Sequence, residues 1–244
     1  MELIKDIIYG TEKPEIQKLN LCLPDTADAD VFIYFHGGGL VNGSKDNCTS
    51  FDRLVAAGKA VIYANYRKYP NAAFPDFIED AAAVVAWAKE HMHEYKKINK
   101  LFVCGTSAGA WITAMLAFAP EYLAKHHIAT TDINGYIINS AQTTTHFNVL
   151  HERGINTKRI VVDDAAPIHF INENTVFPNV FIIVSDDDMP CRLEQNLMFM
   201  KTMKMFGCPE EKLTYKLMEG FKHCKYNDTE AFQDMLIDFM DTTS

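Results

Sequence analysis

The chain has 244 residues, 48% of them apolar and 23% charged, with only 12 Gly and 9 Pro. These values belong to a folded globular protein and exclude collagenous, low-complexity and wholly disordered chains. Its formal net charge of −9 repels a phosphate backbone, so no nucleic-acid partner is expected. The longest uninterrupted apolar stretch, Ala81 to Ala88, falls far short of the ~20 residues of a membrane-spanning helix, and no membrane association is expected.

The first residues, Met1 to Asp6, lack the basic and apolar regions of a secretory signal. Six cysteines, at 22, 48, 104, 191, 208 and 224, form no CxxC pair. Reduced thiols and a cytoplasmic location are the expectation. No repeat, linker or shift of composition divides the chain, so residues 1–244 read as a single domain.

Taken in order, short apolar runs alternate with helical stretches. Asp30 to Phe35 is a continuous apolar run ending in glycines and predicts a strand buried on both faces. Ala60 to Ala64 is a second strand, Asp76 to Glu94 an amphipathic helix, and Leu101 to Cys104 a third strand. An Ala-rich helix over Ser107 to Phe118 follows, then strands over Gly135 to Asn139 and Val180 to Val184. A helix over Arg192 to Phe206, an alternating edge strand over Leu213 to Leu217 and a helix over Thr229 to Met240 complete the series. Strands alternating with helices predict an α/β class with a mostly parallel sheet covered on both faces. Ligands of such sheets bind at the carboxyl ends of the strands.

The third strand runs into Gly105-Thr106-Ser107-Ala108-Gly109 and a helix. GxSxG between a strand and a helix holds a serine on a tight turn clear of the sheet, and the glycines remove side chains that would collide there. The first strand ends in His36-Gly37-Gly38-Gly39. Consecutive glycines leave main-chain N–H groups uncovered, and the amides of Gly38, Gly39 and Ala108 are expected to form an oxyanion hole. His36 is expected to brace this loop. The phosphate-cradling patterns GxxxxGK[ST] and GxGxxG are absent.

A serine nucleophile needs a base, and the base an orienting carboxylate. In chain order, Ser185-Asp186-Asp187-Asp188 follows the fifth strand and His223 the sixth. The expected catalytic residues are therefore Ser107, Asp188 and His223. Asp188 is preferred because in this architecture the acid commonly lies three residues after the small residue ending the strand. Asp186 is the alternative acid, Asp187 the third, and the side chain of Asp186 is also placed to cap the following turn. The remaining histidines show no HExxH or other ligand spacing, so no metal is expected. His146, His151 and His169 lie in a long irregular stretch, as candidates for a pocket wall or for the surface.

Together these residues resemble the α/β-hydrolase superfamily, more narrowly its hormone-sensitive-lipase-like esterases and small carboxylesterase relatives. The resemblance runs from His36-Gly37-Gly38-Gly39-Leu40 through Asn65-Tyr66-Arg67-Lys68-Tyr69-Pro70 and Phe74-Pro75 with Glu79-Asp80-Ala81. It continues over Gly105 to Gly109, Asp188 and His223. It implies that Tyr66, Arg67 and Asp80 are structural, with Arg67 paired to a carboxylate. Two departures stand out. Roughly 30 residues precede the first motif strand, so the N-terminal cap of that family is reduced or absent. Ser185 stands where a glycine usually precedes the acid. The stretch from Thr143 to Phe170 is expected either to substitute for the cap or to place two helices on the sheet.

The expected function is hydrolysis of small carboxylic esters with short acyl groups, without a cofactor. The partner is then a small-molecule ester, and a homodimer is compatible with this sequence. The capless form is also similar to kynurenine formamidase, which makes an aryl-formamide or amide hydrolase the alternative. A non-catalytic sensor of small ligands on the same fold is the third reading.

Overall fold

The computed structural model describes residues 1–243. Eight strands form one sheet: β1 (Glu2–Ile8), β2 (Lys18–Leu23), β3 (Asp28–Phe35), β4 (Lys59–Ala64), β5 (Lys97–Thr106), β6 (Gly135–Asn139), β7 (Val180–Asp187) and β8 (Leu213–Lys222). The helices are α1 (Asp52–Ala56), α2 (Asp76–His91), α3 (Ala108–Phe118), α4 (Glu121–Ala124), α5 (Phe147–Glu152), α6 (Arg192–Met205) and α7 (Glu230–Thr242). The strand order is β1-β2-β4-β3-β5-β6-β7-β8, parallel from β4 to β8 and antiparallel at β1–β2 and β2–β4.

Alternation along each central strand feeds two cores. Val31, Ile33 and Phe35 of β3, with Leu101 and Val103 of β5, join a core under α2, α3 and α6. Phe32 and Tyr34, with Phe102 and Cys104, join a second core under α1 and α7. Burial on both faces is why these strands read as unbroken apolar runs. Every residue of α3 is buried, which explains a helix that is apolar all round and rich in alanine.

The sequence reading misses β1 and β2. β1 is an edge strand whose Glu, Lys and Asp interrupt the apolar pattern and whose residues are mostly exposed. β2 alternates Leu19, Leu21 and Leu23 with Lys18, Asn20 and Cys22, a period-2 signal that was available. The long helix ends at His91 in a 3₁₀ turn, Met92–Glu94, and β5 begins at Lys97, earlier than expected. Between β6 and β7, in place of two helices, stand the six-residue α5 and a 3₁₀ turn at Pro167–Phe170. Among the described residues, no helix is long and apolar enough to cross a membrane, and all six cysteines are free thiols.

The sheet order reverses direction between β3 and β5, the point at which open α/β sheets leave a crevice at their carboxyl edge. His36 to Gly39 follow β3 there, and Ser107 follows β5. Ser140, Asp188 and His223 follow β6, β7 and β8 in turn.

Candidate active site

Ser107 occupies a strained backbone conformation, φ +57° and ψ −111°, at the junction of β5 and α3. A non-glycine residue in such a region costs about 1–3 kcal/mol and persists only when its surroundings over-determine it. Here they do. A Cβ on Gly105 would stand 2.1 Å from the carbonyl oxygen of Gly109, and one on Gly109 would stand 2.0 Å from that of Phe35. Two glycines thus let the first turn of α3 press against the ends of both β5 and β3. Main-chain bonds from Ser107 N–H to Asn139 O, 2.9 Å, and from Trp111 N–H to Ser107 O, 3.0 Å, fix the turn.

The serine hydroxyl oxygen lies 2.9 Å from His223 Nε2. On the other side of the ring, His223 Nδ1 lies 2.5 Å from Asp188 Oδ1. Asp188 Oδ1 also accepts from the Met189 amide at 2.7 Å. Its Oδ2 accepts from the Ser140 hydroxyl at 2.5 Å and the Ser185 hydroxyl at 3.0 Å. Burial alone favours the neutral acid, but the hydrogen bonds from His223 and Ser140 outweigh it and lower the carboxyl to about 2. Asp188 is therefore ionised at neutral pH, and an ionised carboxylate fixes the proton of His223 on Nδ1. Nε2 is then free to accept from Ser107.

The other two aspartates stand apart. Asp186 accepts from the Gly220 amide of β8 at 2.7 Å and is exposed. Asp187, also exposed, ends β7 opposite Lys222. Neither bonds to His223.

The glycine loop begins beside the serine: a Cβ on Gly37 would be 3.4 Å from Ser107 Cβ. Among the described residues, the amides of Gly38, Gly39 and Ala108 donate to no protein acceptor. Ala108 opens α3, where N–H groups lack helical partners and the helix dipole favours negative charge. His36 lies beneath the loop. Its ring stacks on Tyr66 with centroids 4.5 Å apart, its Nδ1 lies 2.6 Å from Gly37 O, and burial pushes its pKa down to about 4. A neutral, buried ring at the base of the loop is a brace. The Tyr66 hydroxyl donates to His36 O at 2.8 Å.

Arg67 meets the carboxylate expected of it. Its Nε donates to Asp80 Oδ1 at 2.9 Å, and its amide donates to Oδ2 at 2.7 Å. Gln17 adds a further donor to Asp80 at 2.7 Å.

Of the three outlying histidines, His146 is buried, a result the irregular stretch did not suggest. Its Nδ1 caps α5 by accepting from the Asn148 amide at 3.2 Å, and burial lowers its pKa to about 3. His151 and His169 are exposed. The following Phe147 and Asn148 lie against the glycine loop, where Asn148 Nδ2 donates to Gly39 O. Ser140, Asn148, Arg192 and Tyr226 were not singled out from the sequence, because their closeness to the site comes from strand order. Among the described residues, no cluster of three or more His, Cys, Asp or Glu could hold a metal ion.

Comparison with known proteins agrees with this geometry at the level of the fold. A truncated carbohydrate esterase from gut microbiota superposes with a TM-score of 0.81 at 18% identity, over 99% of this chain and 96% of the other. Esterase 2 of Thermogutta terrifontis, with propionate bound, gives 0.76 at 21%, over 98% and 93%. Among curated proteins, Esterase LipI of Mycobacterium tuberculosis is 39% identical over 97 residues, which is 38% of this chain and 30% of the relative. An acetyl esterase of Salmonella schwarzengrund is 35% identical over 109 residues, 43% of this chain and 32% of the relative. The matched stretches thus span about a third of the length of these curated relatives. The family model of the alpha/beta hydrolase fold covers residues 32–224. That range runs from the strand before the glycine loop to the residue after His223, and the chain belongs to the alpha/beta hydrolase fold family.

Proposed function

We propose that the protein is a serine hydrolase that cleaves small carboxylic esters with short acyl groups. The observation that carries this reading is the continuous hydrogen-bonded path from Ser107 Oγ through His223 to an ionised Asp188. His223 Nε2 takes the serine proton as Oγ attacks the carbonyl carbon. Asp188 keeps the imidazole in the tautomer that accepts at Nε2 and stabilises the imidazolium that results. The amides of Gly38, Gly39 and Ala108 stabilise the oxyanion, a contribution of ~10²–10³ in rate for each donor. His223 then returns its proton to the departing alkoxide, and the acyl group stays on Ser107 until water, activated by the same imidazole, releases it. Each step uses side chains and amides of this chain, so no cofactor enters the cycle.

The matched relatives include proteins described as esterases and as an acetyl esterase, which supports an ester of a small acid as the substrate. The six-residue α5 packs on the glycine loop, in keeping with a compact acyl site.

The test is hydrolysis of p-nitrophenyl acetate and butyrate by the wild type and by Ser107→Ala, with N-formylkynurenine alongside. The wild type should cleave the esters, prefer them to the formamide and react with a fluorophosphonate probe. Ser107→Ala should lose several orders of magnitude in kcat while remaining folded. Near-full esterase activity in Ser107→Ala overturns the assignment. Preference for the formamide moves the reading to amide hydrolysis, and a wild type inert to both substrate and probe points to a ligand sensor.

A further inference from the structure

Ser140 touches the acid of the site from the side away from His223. It follows β6 directly and is fully buried. Its hydroxyl donates to Asp188 Oδ2 at 2.5 Å and lies 3.2 Å from the Tyr226 hydroxyl. Tyr226 in turn donates to Asn139 Oδ1 at 2.6 Å. Each hydroxyl has one proton. The tyrosine proton is committed to Asn139, and the serine proton goes to the charged acceptor, where a hydrogen bond is short and strong. The 3.2 Å approach between the two hydroxyls is then a packing contact that keeps Ser140 from turning away.

The backbone is held as firmly as the side chain. Ser140 has φ +59°, a left-handed conformation uncommon for a residue other than glycine. Its amide donates to Ile183 O at 2.7 Å. Its carbonyl accepts from Nη1 of the buried Arg192 at 2.5 Å. Strain held by partners on both sides is the pattern of a position kept for its side chain.

We propose that Ser140 is the positioning residue of the acid, fixing the rotation of the Asp188 carboxylate so that Oδ1 faces His223 Nδ1. The inference rests on the hydrolase reading of Ser107 and His223. The titratable groups surrounding Asp188 are His223, Cys224 and Tyr226 from the segment after β8 and Arg192 from α6. Removing the Ser140 hydroxyl adds or removes no charge among them, though it also ends the hydroxyl's contacts with Tyr226 and Cys224. It leaves Oδ2 with the longer bond from Ser185 alone. The carboxylate is then held less firmly against rotation, by the Met189 amide and the Ser185 hydroxyl, which lowers the fraction of sites with an aligned imidazole. Its charge, less neutralised by donors, also holds a proton on His223 more tightly.

The experiment compares Ser140→Ala, Ser140→Gly and Ser140→Cys with the wild type on p-nitrophenyl acetate across pH. Glycine adopts φ +59° without strain, so it separates loss of the hydroxyl from backbone effects. Alanine and glycine should both lower kcat about tenfold with KM little changed, as expected for loss of a hydrogen bond to a charged group. Both should move the acid limb of kcat/KM to higher pH, and cysteine, a weaker donor, should recover part of the loss. The far-downfield NMR signal of the His223 Nδ1 proton should shift in the alanine and glycine variants. That signal is read without turnover, so an enzyme inactive on every ester and inert to the fluorophosphonate probe refutes the hydrolase reading and still leaves Ser140 tested. The proposal is overturned if both variants keep kcat within twofold with an unmoved acid limb and an unmoved proton signal. It is equally overturned if glycine restores what alanine loses, since the backbone would then be the cause.

Discussion

Replacement of Asp188 by asparagine separates charge from geometry at the proposed acid. Asp188 is enclosed by four donors: the His223 ring and the Met189 amide on Oδ1, the Ser140 and Ser185 hydroxyls on Oδ2. An asparagine with its oxygen toward His223 directs its NH₂ at the two hydroxyls, which can turn to accept. The site can therefore remain packed. What it loses is the negative charge 2.5 Å from Nδ1, which in the proposed mechanism stabilises the imidazolium as Ser107 gives up its proton. In the opposite flip the amide donates to Nδ1 and leaves the proton on Nε2, where it cannot accept from Ser107. Either outcome predicts a loss on the order of 10⁴ in kcat, about 5.5 kcal/mol at 1.36 kcal/mol per decade. Steady-state hydrolysis of p-nitrophenyl acetate, with the rate of fluorophosphonate labelling as an independent measure of serine reactivity, reads the effect. Asp186→Asn serves as the comparison and should stay within a few-fold, since its exposed side chain only accepts from Gly220. If Asp188→Asn keeps a tenth of the wild-type rate, or if Asp186→Asn suffers the large loss, the acid has been misassigned.

Three further outcomes follow from the same contacts. Gly109→Ala places a Cβ 2.0 Å from the Phe35 carbonyl oxygen and 2.8 Å from that of His36. Neither main-chain atom can retreat without parting α3 from β3, so a loss of about 4 kcal/mol is expected, seen by thermal melting as a fall of roughly 8–16 °C. Arg67→Met leaves the buried Asp80 without its guanidinium and should cost about 3–5 kcal/mol in urea denaturation; a variant as stable as the wild type would show the pair to be incidental. Asp188 carries a carboxyl lowered to about 2 in the folded chain. The stability it contributes, about 2–3 kcal/mol, is complete above the ordinary aspartate value and disappears as pH falls through about 2. The slope of unfolding free energy against pH between 4 and 2 should accordingly be shallower in Asp188→Asn than in the wild type.

The sequence carries the central strands plainly because burial on both faces removes polar residues from them, as in Val31 to Phe35 and Val180 to Val184. It carries β1 poorly for the opposite reason: an exposed edge strand keeps its charges. Ser107 and His223 are marked by local patterns and chain order. The choice of Asp188 over Asp186 depends on how far β7 runs before it turns, and β7 includes Asp186 and Asp187, with a register shift against β8 between Ser185 and Asp187. Ser140 is invisible in one dimension. It lies 48 positions from Asp188, and the two meet because β6 and β7 are neighbours. His146 shows a different limit: a histidine in an irregular stretch reads as pocket wall or surface, and only the structure shows it buried as the cap of α5.

The sheet order also explains why the proposed base needs its own anchorage. β8, which delivers His223, is three strands from β5, which delivers Ser107. At about 4.8 Å per strand interval the two chain ends start ~14 Å apart, more than an imidazole side chain spans. The main chain after β8 must turn back over β7 and β6 to bring His223 within reach. Two residues beyond His223 tie that return. Tyr226 donates to Asn139 Oδ1 at the end of β6, and Asn227 Nδ2 donates at 3.3 Å to Thr106 Oγ1, the residue before Ser107. Both are buried, so each would be costly to leave unpaired. The polar network beneath the site is thus a tether, and the 2.9 Å separation of His223 from Ser107 depends on it as much as on either side chain.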